Sequence, residues 1–205
     1  MTDQRQKAAE LLRERGTTYA DEWHIALGRG SPGPLFQLLC GALLASARIS
    51  SSIATAAVRG LTRARLTSPQ RMRDASWDHR VAILHEAGYT RYQERTATML
   101  GEAAQTVLDD YRGDLRRLRQ AADRDPRTER RLLERIAGIG RVGSAIFLRE
   151  VQVVWPEVQP FADDRALRGA RRHGLPSDAR NLQELVGARD FPRLVAALVR
   201  SQIGD

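Results

Sequence analysis

The sequence predicts an all-α protein, and two observations carry that prediction. Apolar residues recur at intervals of three and four, the period of an amphipathic helix, in the segments AAELLRERG, LFQLLCGALLA, ATMLGEAAQTVLDDY and FPRLVAALVRSQI. Nowhere does the chain carry a convincing set of alternating strands. With 205 residues, of which 42% are apolar, it is long enough for one domain or two small lobes around a real core.

The order of the helices follows from the residues that interrupt them. Glycine and proline in the loop 28–34 (GRGSPGP) separate the N-terminal helical segment from the next helical block. Further breaks fall at residues 67–69, 88, 113, 125–126, 138–140, 156–160, 174–176 and 187. These breaks predict about ten helices of modest length. Residues 112–135 are dense in mixed charges, which we interpret as a solvated helix pair rather than a specific binding stripe.

The charged residues limit the possible chemistry. A net charge of +8 and a pI of about 10.8 are typical of a nucleic-acid-binding protein, and equally of a protein with a solvated arginine-rich surface. Lys7 is the single lysine among the 33 lysine and arginine residues. Apart from Lys7 and the N-terminal amine, the chain therefore has no primary amine that forms a Schiff base.

Cysteine content and hydropathy exclude further classes of protein. The single cysteine, Cys40, excludes an internal disulfide and an all-cysteine zinc or iron–sulfur site, and its apolar neighbours predict a small core residue. No segment reaches the roughly 18 apolar residues of a membrane span. The N-terminal segment is charged and lacks the apolar core of a signal peptide. We therefore expect a cytoplasmic protein without a membrane partner.

The segment 132–168 holds the candidate site. An apolar helical run ends in the glycine turn 138–140, a second run follows at once, and a loop with Pro160 leads to Asp163 and Asp164. A helix that begins at such a turn exposes backbone N–H groups to which a phosphate binds well. A nearby carboxylate stabilises positive charge on a sugar. The alternative is structural: the glycines form a helix cap, and the aspartate is an N-cap.

Taken in order, these residues resemble the helix-hairpin-helix (HhH-GPD) superfamily of DNA glycosylases, in its endonuclease III-like form. The resemblance rests on the hairpin 132–150, on Trp155-Pro156, and on Ala162-Asp163 followed by Arg168. It extends upstream to PLFQLLCGALLASARISSSIATAAVRGL and to ILHEAGYTRYQERTATMLGEAAQTVL, and so covers about residues 34–175. The individual motifs are only moderately specific, but their shared order and spacing make the set fairly specific.

The chain departs from the family pattern in four places. The cysteine cluster near the C-terminus is missing, which implies a member without the iron–sulfur cluster and with no other catalytic cofactor or metal. Val142 stands where bifunctional members carry the catalytic lysine, and Arg48 stands where a glutamine commonly fills the gap left by a flipped base. The loop between hairpin and aspartate is longer by about three residues, which leaves the choice between Asp163 and Asp164 open, with Asp163 preferred.

The resemblance implies a two-lobed helical fold with a cleft between the lobes. One lobe would be a central lobe, residues 31–143, ending in the hairpin. The other would join residues 1–30 to residues 144–205 and carry the catalytic aspartate. The implied partner is double-stranded DNA with a damaged or mismatched base, bound by a monomer associated with the nucleoid.

The resemblance also implies roles for individual residues. Asp163, or Asp164 as second choice, would stabilise an oxocarbenium-like transition state and orient water in a glycosylase of base excision repair. Because Val142 offers no amine, the enzyme would be monofunctional, without lysine-based lyase activity. DNA would contact Gly138, Gly140, Arg141, Val142, Gly143, Ser46, Arg48, Arg165 and Arg168, with K⁺ or Na⁺ held at Gly138 and Gly140.

Several alternatives stay open at this stage. Arg48 is either the wedge that replaces the flipped base or an ordinary surface cation. Tyr89 and Tyr92 either stack on that base or pack within the protein. A helix-hairpin-helix protein that binds DNA without chemistry is the second interpretation of the whole chain, and an α-helical interaction module is the third. The sequence does not identify the damaged base.

Overall fold

The computed structural model describes residues 3–202, and the prediction of an all-α fold is confirmed. Within these residues there are twelve α-helices, two short 3₁₀ turns at Leu27–Arg29 and Pro156–Val158, and no strand. The helices are α1 (Asp3–Arg15), α2 (Tyr19–Glu22), α3 (Pro32–Ala45), α4 (Ser51–Arg63), α5 (Pro69–Asp74), α6 (Trp77–Glu86), α7 (Gln93–Tyr111), α8 (Leu115–Ala121), α9 (Pro126–Leu133), α10 (Arg141–Val151), α11 (Asp164–Arg172) and α12 (Ala179–Arg200).

Most helices begin where the sequence supplies a side-chain cap. In seven of them a serine or aspartate at the N-cap accepts, through its side-chain oxygen, a hydrogen bond from a backbone N–H of the first turn. These caps are Ser50, Ser68, Ser76, Asp114, Asp125, Asp163 and Asp178. The break that the sequence predicts at residue 187 is a kink inside α12, where Gly187 has a φ of 81°.

Contacts divide the chain into two compact units. One unit is Trp23–Phe147, and the other combines the N-terminal residues up to Glu22 with the residues from Leu148 onward. The boundaries that the family resemblance implies, at residues 30 and 143, stay a prediction. In the described part of the chain, no helix is both long and apolar enough to cross a bilayer.

The unit Trp23–Phe147 is built around α3. Its apolar face is buried, and the helix packs against α4, α7 and α8. Gly41 lies on the Trp23 ring so closely that a Cβ there would be 2.4 Å from a ring carbon. The Trp23 indole N–H donates to the Thr55 hydroxyl at 3.3 Å and ties this contact to α4. This close packing fixes the position of α3, and the glycine turn at Gly138 packs against Leu43 of the same helix.

In the other unit, α12 is the central helix. It packs against α1 and α11, and its second half contributes a nearly continuous buried run from Phe191 to Val199. Gly169 of α11 lies against the backbone of Leu198, where a Cβ would be 2.3 Å from the carbonyl oxygen. This close approach of α11 to α12 fixes the helix that Asp163 precedes.

Candidate nucleic-acid interface and carboxylate site

The glycine turn of the predicted hairpin is present between α9 and α10. Gly138 has a φ of 78°, a conformation that favours glycine, and a Cβ there would lie 2.7 Å from Leu43 Cδ1. Ile139 is buried and donates its N–H to the Ile136 carbonyl at 3.0 Å. Gly138 and Ile139 therefore have packing roles, which hold the turn against the last residues of α3.

The helix after this turn begins without a side-chain cap. Gly140 precedes α10, and a Cβ built on it would meet nothing within 4 Å. The first intrahelical bond of α10 runs from the Ser144 N–H to the Gly140 carbonyl at 2.9 Å. Among the described residues, no backbone carbonyl accepts from the N–H groups of Arg141, Val142 or Gly143. The exposed residues Arg141 and Val142 thus offer their N–H groups to an external anion, whereas Gly143, also predicted to contact DNA, is buried.

A polar brace connects the two helices of the hairpin. The Ser144 hydroxyl donates to Glu134 Oε1 at 2.7 Å, and Arg130 Nε donates to the same oxygen at 3.0 Å. The hydrogen bond from Ser144 is the largest cause of the lowered pKa of Glu134; burial opposes it, and the Arg130 guanidinium lowers the pKa further. Arg130 Nη2 also lies 3.4 Å from the Arg141 carbonyl, which places a cation beside the open end of α10.

The loop that contains Ser46 and Arg48 follows the part of α3 on which the hairpin rests. Gly138 meets Leu43, and the Ser46 hydroxyl donates to the Leu43 carbonyl at 2.7 Å, so Ser46 caps its own helix. Arg48 is exposed between α3 and α4. The structure therefore brings this loop and the hairpin to the same region of one unit. Arg141 and Val142 are also exposed, the latter by 59%.

Asp163 is the N-cap of α11, as the structural alternative predicted. Its Oδ1 accepts from the Ala166 N–H at 3.0 Å, and its Oδ2 accepts from Arg149 Nη1 at 3.0 Å. The Asp163 side chain keeps 17% of its surface exposed, whereas that of Arg149 keeps 5%. The carboxylate is thus fixed in orientation by two donors and is still accessible at one edge.

The neighbouring residues of α11 are arranged differently. Asp164 is the first residue of the helix and is exposed, and no donor within residues 3–202 bonds to its carboxylate. Arg165 and Arg168 are exposed on the same helix. Of the two candidate carboxylates, Asp163 is therefore the one whose direction the protein controls.

Sequence reasoning missed three polar residues at the end of α10 and just beyond it: Arg149, Glu150 and Gln152. Arg149 also packs on the Tyr19 ring, with its guanidinium carbon 5.8 Å from the ring centre. Glu150 accepts from the Ala20 N–H at 2.9 Å, and burial raises the pKa of its carboxyl. Gln152 bonds to the backbone of Phe161. The signal in the sequence was a charged and polar group, REVQ, inside an otherwise apolar helical run.

The two tyrosines predicted near a base pocket have different surroundings. Tyr89 is 1% exposed and its hydroxyl donates to the Leu44 carbonyl at 3.3 Å, so the structure gives it the packing role. Burial raises the pKa of this hydroxyl. Tyr92 is partly exposed, with the Arg91 guanidinium 5.3 Å from its ring centre. Of the two, only Tyr92 presents an aromatic surface toward solvent.

The single lysine lies at the far end of α11 from Asp163. Lys7 pairs with Asp3 at 2.7 Å, and its Nζ is 4.0 Å from a Cβ built on Gly174, beyond the C-terminus of α11. Nine helical residues separate that end from Asp163, which at 1.5 Å per residue is about 13 Å. Lys7 is thus out of reach of any sugar placed at Asp163.

The described residues hold no group of three or more His, Cys, Asp or Glu side chains that could bind a metal ion. Cys40 is a buried residue of α3, and burial raises the pKa of its thiol. It is the small core residue that its sequence setting predicts.

Comparisons with known proteins bear on the fold. No protein-family model matches the sequence, and no curated protein does. The fold is similar to that of a solved structure of endonuclease III, trapped as a covalent intermediate with DNA in an estranged-adenine complex. The TM-score is 0.53 and the identity is 17%, over 95% of this chain and 84% of that chain. The chain thus has an all-α fold similar to that of endonuclease III.

Proposed function

We propose that the protein is a monofunctional DNA glycosylase of base excision repair, which hydrolyses the N-glycosidic bond of a damaged or mismatched base in double-stranded DNA. One observation carries the proposal: in a fold of the endonuclease III type, the Asp163 carboxylate is oriented by two donors and remains partly exposed. The similar endonuclease III structure is itself a complex with DNA. The net charge of +8 supports the same partner.

The DNA backbone would be held at the open end of α10. A phosphate there accepts from the N–H groups of Arg141 and Val142, both of which are exposed, in the field of the helix dipole. Arg130, Arg165 and Arg168 add counterion release without reading the sequence. Affinity for undamaged DNA therefore depends steeply on salt.

A monovalent cation would bind at the carbonyls of the hairpin in this proposal. Within residues 3–202 no backbone N–H donates to the Gly138 carbonyl, whereas the Gly140 carbonyl accepts from Ser144. A carbonyl oxygen of this kind suits a hard cation such as K⁺ or Na⁺, which would supply a positive charge for the phosphate. No iron–sulfur cluster is part of the proposed function, since a single cysteine cannot supply the four thiolates that hold one.

The target base would leave the stack before cleavage, which requires a few kcal/mol. Arg48 is exposed on the loop that follows α3, beside the hairpin, and its guanidinium is able to stack in the gap left by the base. Tyr92 is the candidate for contact with the everted base.

Bond cleavage builds positive charge on the sugar. The Asp163 carboxylate, held ready by Arg149 and by the Ala166 N–H, stabilises that charge and orients the attacking water. A preorganised group of this type is typically worth about 3–4 kcal/mol in the transition state. Because Val142 has no amine and Lys7 lies beyond the opposite end of α11, a helix about 13 Å long, the reaction ends at an abasic site without strand cleavage by a lysine.

The test is cleavage of oligonucleotides that carry single lesions, followed by alkali to reveal abasic sites. We expect wild-type protein to cleave one lesion class, and Asp163→Asn to lower the single-turnover rate by about 100- to 1,000-fold with DNA affinity nearly unchanged. Asp164→Asn is the matched control, because Asp164 neighbours Asp163 and is exposed. An unchanged rate in Asp163→Asn would remove the assignment, and a loss in Asp164→Asn alone would transfer it.

One observation favours the second candidate, a helix-hairpin-helix protein that binds DNA without chemistry. Both Asp163 oxygens already have donors, as a purely structural cap would. In that case the lesion panel gives no abasic sites, whereas salt-dependent binding of duplex DNA persists.

A further inference from the structure

The loop that leads to Asp163 is held by a single buried side chain. Gln152, one residue beyond the end of α10, is 2% exposed. Its Oε1 accepts from the Phe161 N–H at 3.0 Å, and its Nε2 donates to the Phe161 carbonyl at 3.1 Å. The amide therefore bonds to both polar backbone groups of Phe161, in the way a neighbouring strand would.

The glutamine is itself fixed in place. Its Nε2 also donates to the Arg149 carbonyl at 2.8 Å, so both N–H groups of the amide have acceptors. Arg149 lies one helical turn earlier and binds the Asp163 carboxylate directly. Two side chains three residues apart thus hold the loop at two points: Gln152 holds the main chain at Phe161, and Arg149 holds the carboxylate.

From this geometry we infer that Gln152 is a positioning residue for Asp163. The two hydrogen bonds from Gln152 to Phe161 set the direction of the Asp163 carboxylate. The inference rests on the proposed function. The loop between Val158 and Asp163 has no regular secondary structure, so its conformation depends on bonds from outside the loop. A shift of about 1 Å in a catalytic group is enough to lower a rate by about 100-fold.

Gln152→Met tests the inference, because methionine has nearly the same length and no hydrogen-bonding amide. Gln159→Met is the matched control. Gln159 lies in the same loop and also donates to a backbone carbonyl, that of Ala188 at 2.6 Å, but it does not bond to Phe161. Each variant removes a side-chain amide that bonds to a backbone group, and only the first removes the bonds to Phe161.

We expect Gln152→Met to lower the single-turnover cleavage rate by about 10- to 100-fold. The Kd for duplex DNA with an abasic-site analogue should change by less than about twofold, because the Gln152 side chain is buried and its amide bonds to the backbone of Arg149 and Phe161. Gln159→Met should retain the wild-type rate. Hydrogen exchange should show faster exchange of the Phe161 N–H in Gln152→Met alone.

Either of two results with Gln152→Met would overturn the inference. One is a Gln152→Met rate equal to that of Gln159→Met while wild-type protein cleaves its lesion. The other is a rate and a DNA affinity that fall by the same factor. If Gln152→Met fails to fold, Gln152→Glu replaces it, because the carboxylate keeps an acceptor for the Phe161 N–H and loses both donors; an unchanged rate there also overturns the inference.

Failure of the proposed function gives a different result. Wild-type protein then cleaves no lesion in the panel, whereas Phe161 exchange still reports whether Gln152 holds the loop. Absence of wild-type cleavage removes the catalytic role of Asp163 and with it the positioning role. Unchanged Phe161 exchange in Gln152→Met removes the positioning role alone.

Discussion

The N-termini of α10 and α11 show two opposite solutions to the same problem. Every helix begins with backbone N–H groups that have no partner within the helix. Before α10 stands Gly140, which has no side chain and leaves those groups open. Before α11 stands Asp163, whose carboxylate accepts from the Ala166 N–H and closes the helix end.

In the proposed function, this difference gives the two helix ends different roles. The open end of α10 offers N–H groups and a partial positive charge to an anion from outside, which in the proposed function is a DNA phosphate. The closed end of α11 already has its anion, and the cap keeps that carboxylate from rotating. In the proposed function, the N-terminus of α10 would bind the substrate backbone, and the N-terminus of α11 would orient the reacting group.

The largest effect that we expect on stability concerns the closed end. Asp163→Ala leaves Arg149, with 5% of its side chain exposed, without its carboxylate partner. Breaking a buried ion pair in this way typically costs about 3–5 kcal/mol. Denaturant unfolding of wild-type and variant protein measures this difference directly.

Asp178→Ala is the matched control for that experiment. Asp178 caps α12 through the Asn181 N–H, at 2.9 Å, but it has no buried arginine behind it. We expect its effect on the unfolding midpoint to be clearly smaller. Equal effects of the two alanine variants would mean that the cap alone, and not the pair with Arg149, fixes Asp163.

The sequence predicted the N-termini of α10 and α11 well. Helix capping is local, so Gly140 before an apolar run and Asp163 before ALRGARR were enough to place both ends. The N-cap role that the sequence offered as the alternative for Asp163 is present in the structure. Whether that carboxylate also acts in catalysis stays a prediction.

The side chains that bond to Asp163 and to the loop before it were not predictable in the same way. The bonds from Arg149 to Asp163 and from Gln152 to Phe161 connect residues 14 and 9 positions apart across an irregular loop. Such contacts depend on how the loop folds back, which no periodicity encodes. Tyr89 illustrates the same limit, because its burial follows from the position of α3 and not from its own segment.

A substitution at Gly140 would give the N-terminus of α10 the side-chain cap that it lacks. Gly140→Asp should let a carboxylate cap α10, since a Cβ at this position meets nothing within 4 Å. We expect a small gain in stability, a few tenths of a kcal/mol, together with a loss of DNA affinity of about tenfold. The slope of log K against log salt should fall by about 0.9 for the lost phosphate.

Gly140→Asn separates capping from charge in this experiment. Asparagine caps as well as aspartate but adds no negative charge, so its effect on DNA affinity should be the smaller of the two. Unchanged affinity and an unchanged salt slope in Gly140→Asp would show that the open end does not bind DNA.

The smallest effect concerns the brace that joins α10 to α9. The hydrogen bond from Ser144 lowers the pKa of Glu134 in the folded protein. A carboxyl with a lowered folded pKa contributes stability above its unfolded pKa of about 4.3 and loses it as pH falls through the folded value. Ser144→Ala should therefore destabilise the protein by at most about 1 kcal/mol near neutral pH, and the difference from wild type should shrink below about pH 4. Urea unfolding of both proteins across this pH range tests the prediction. A difference that stays constant down to pH 3 would show that the Ser144 hydroxyl acts through packing and not through the Glu134 charge.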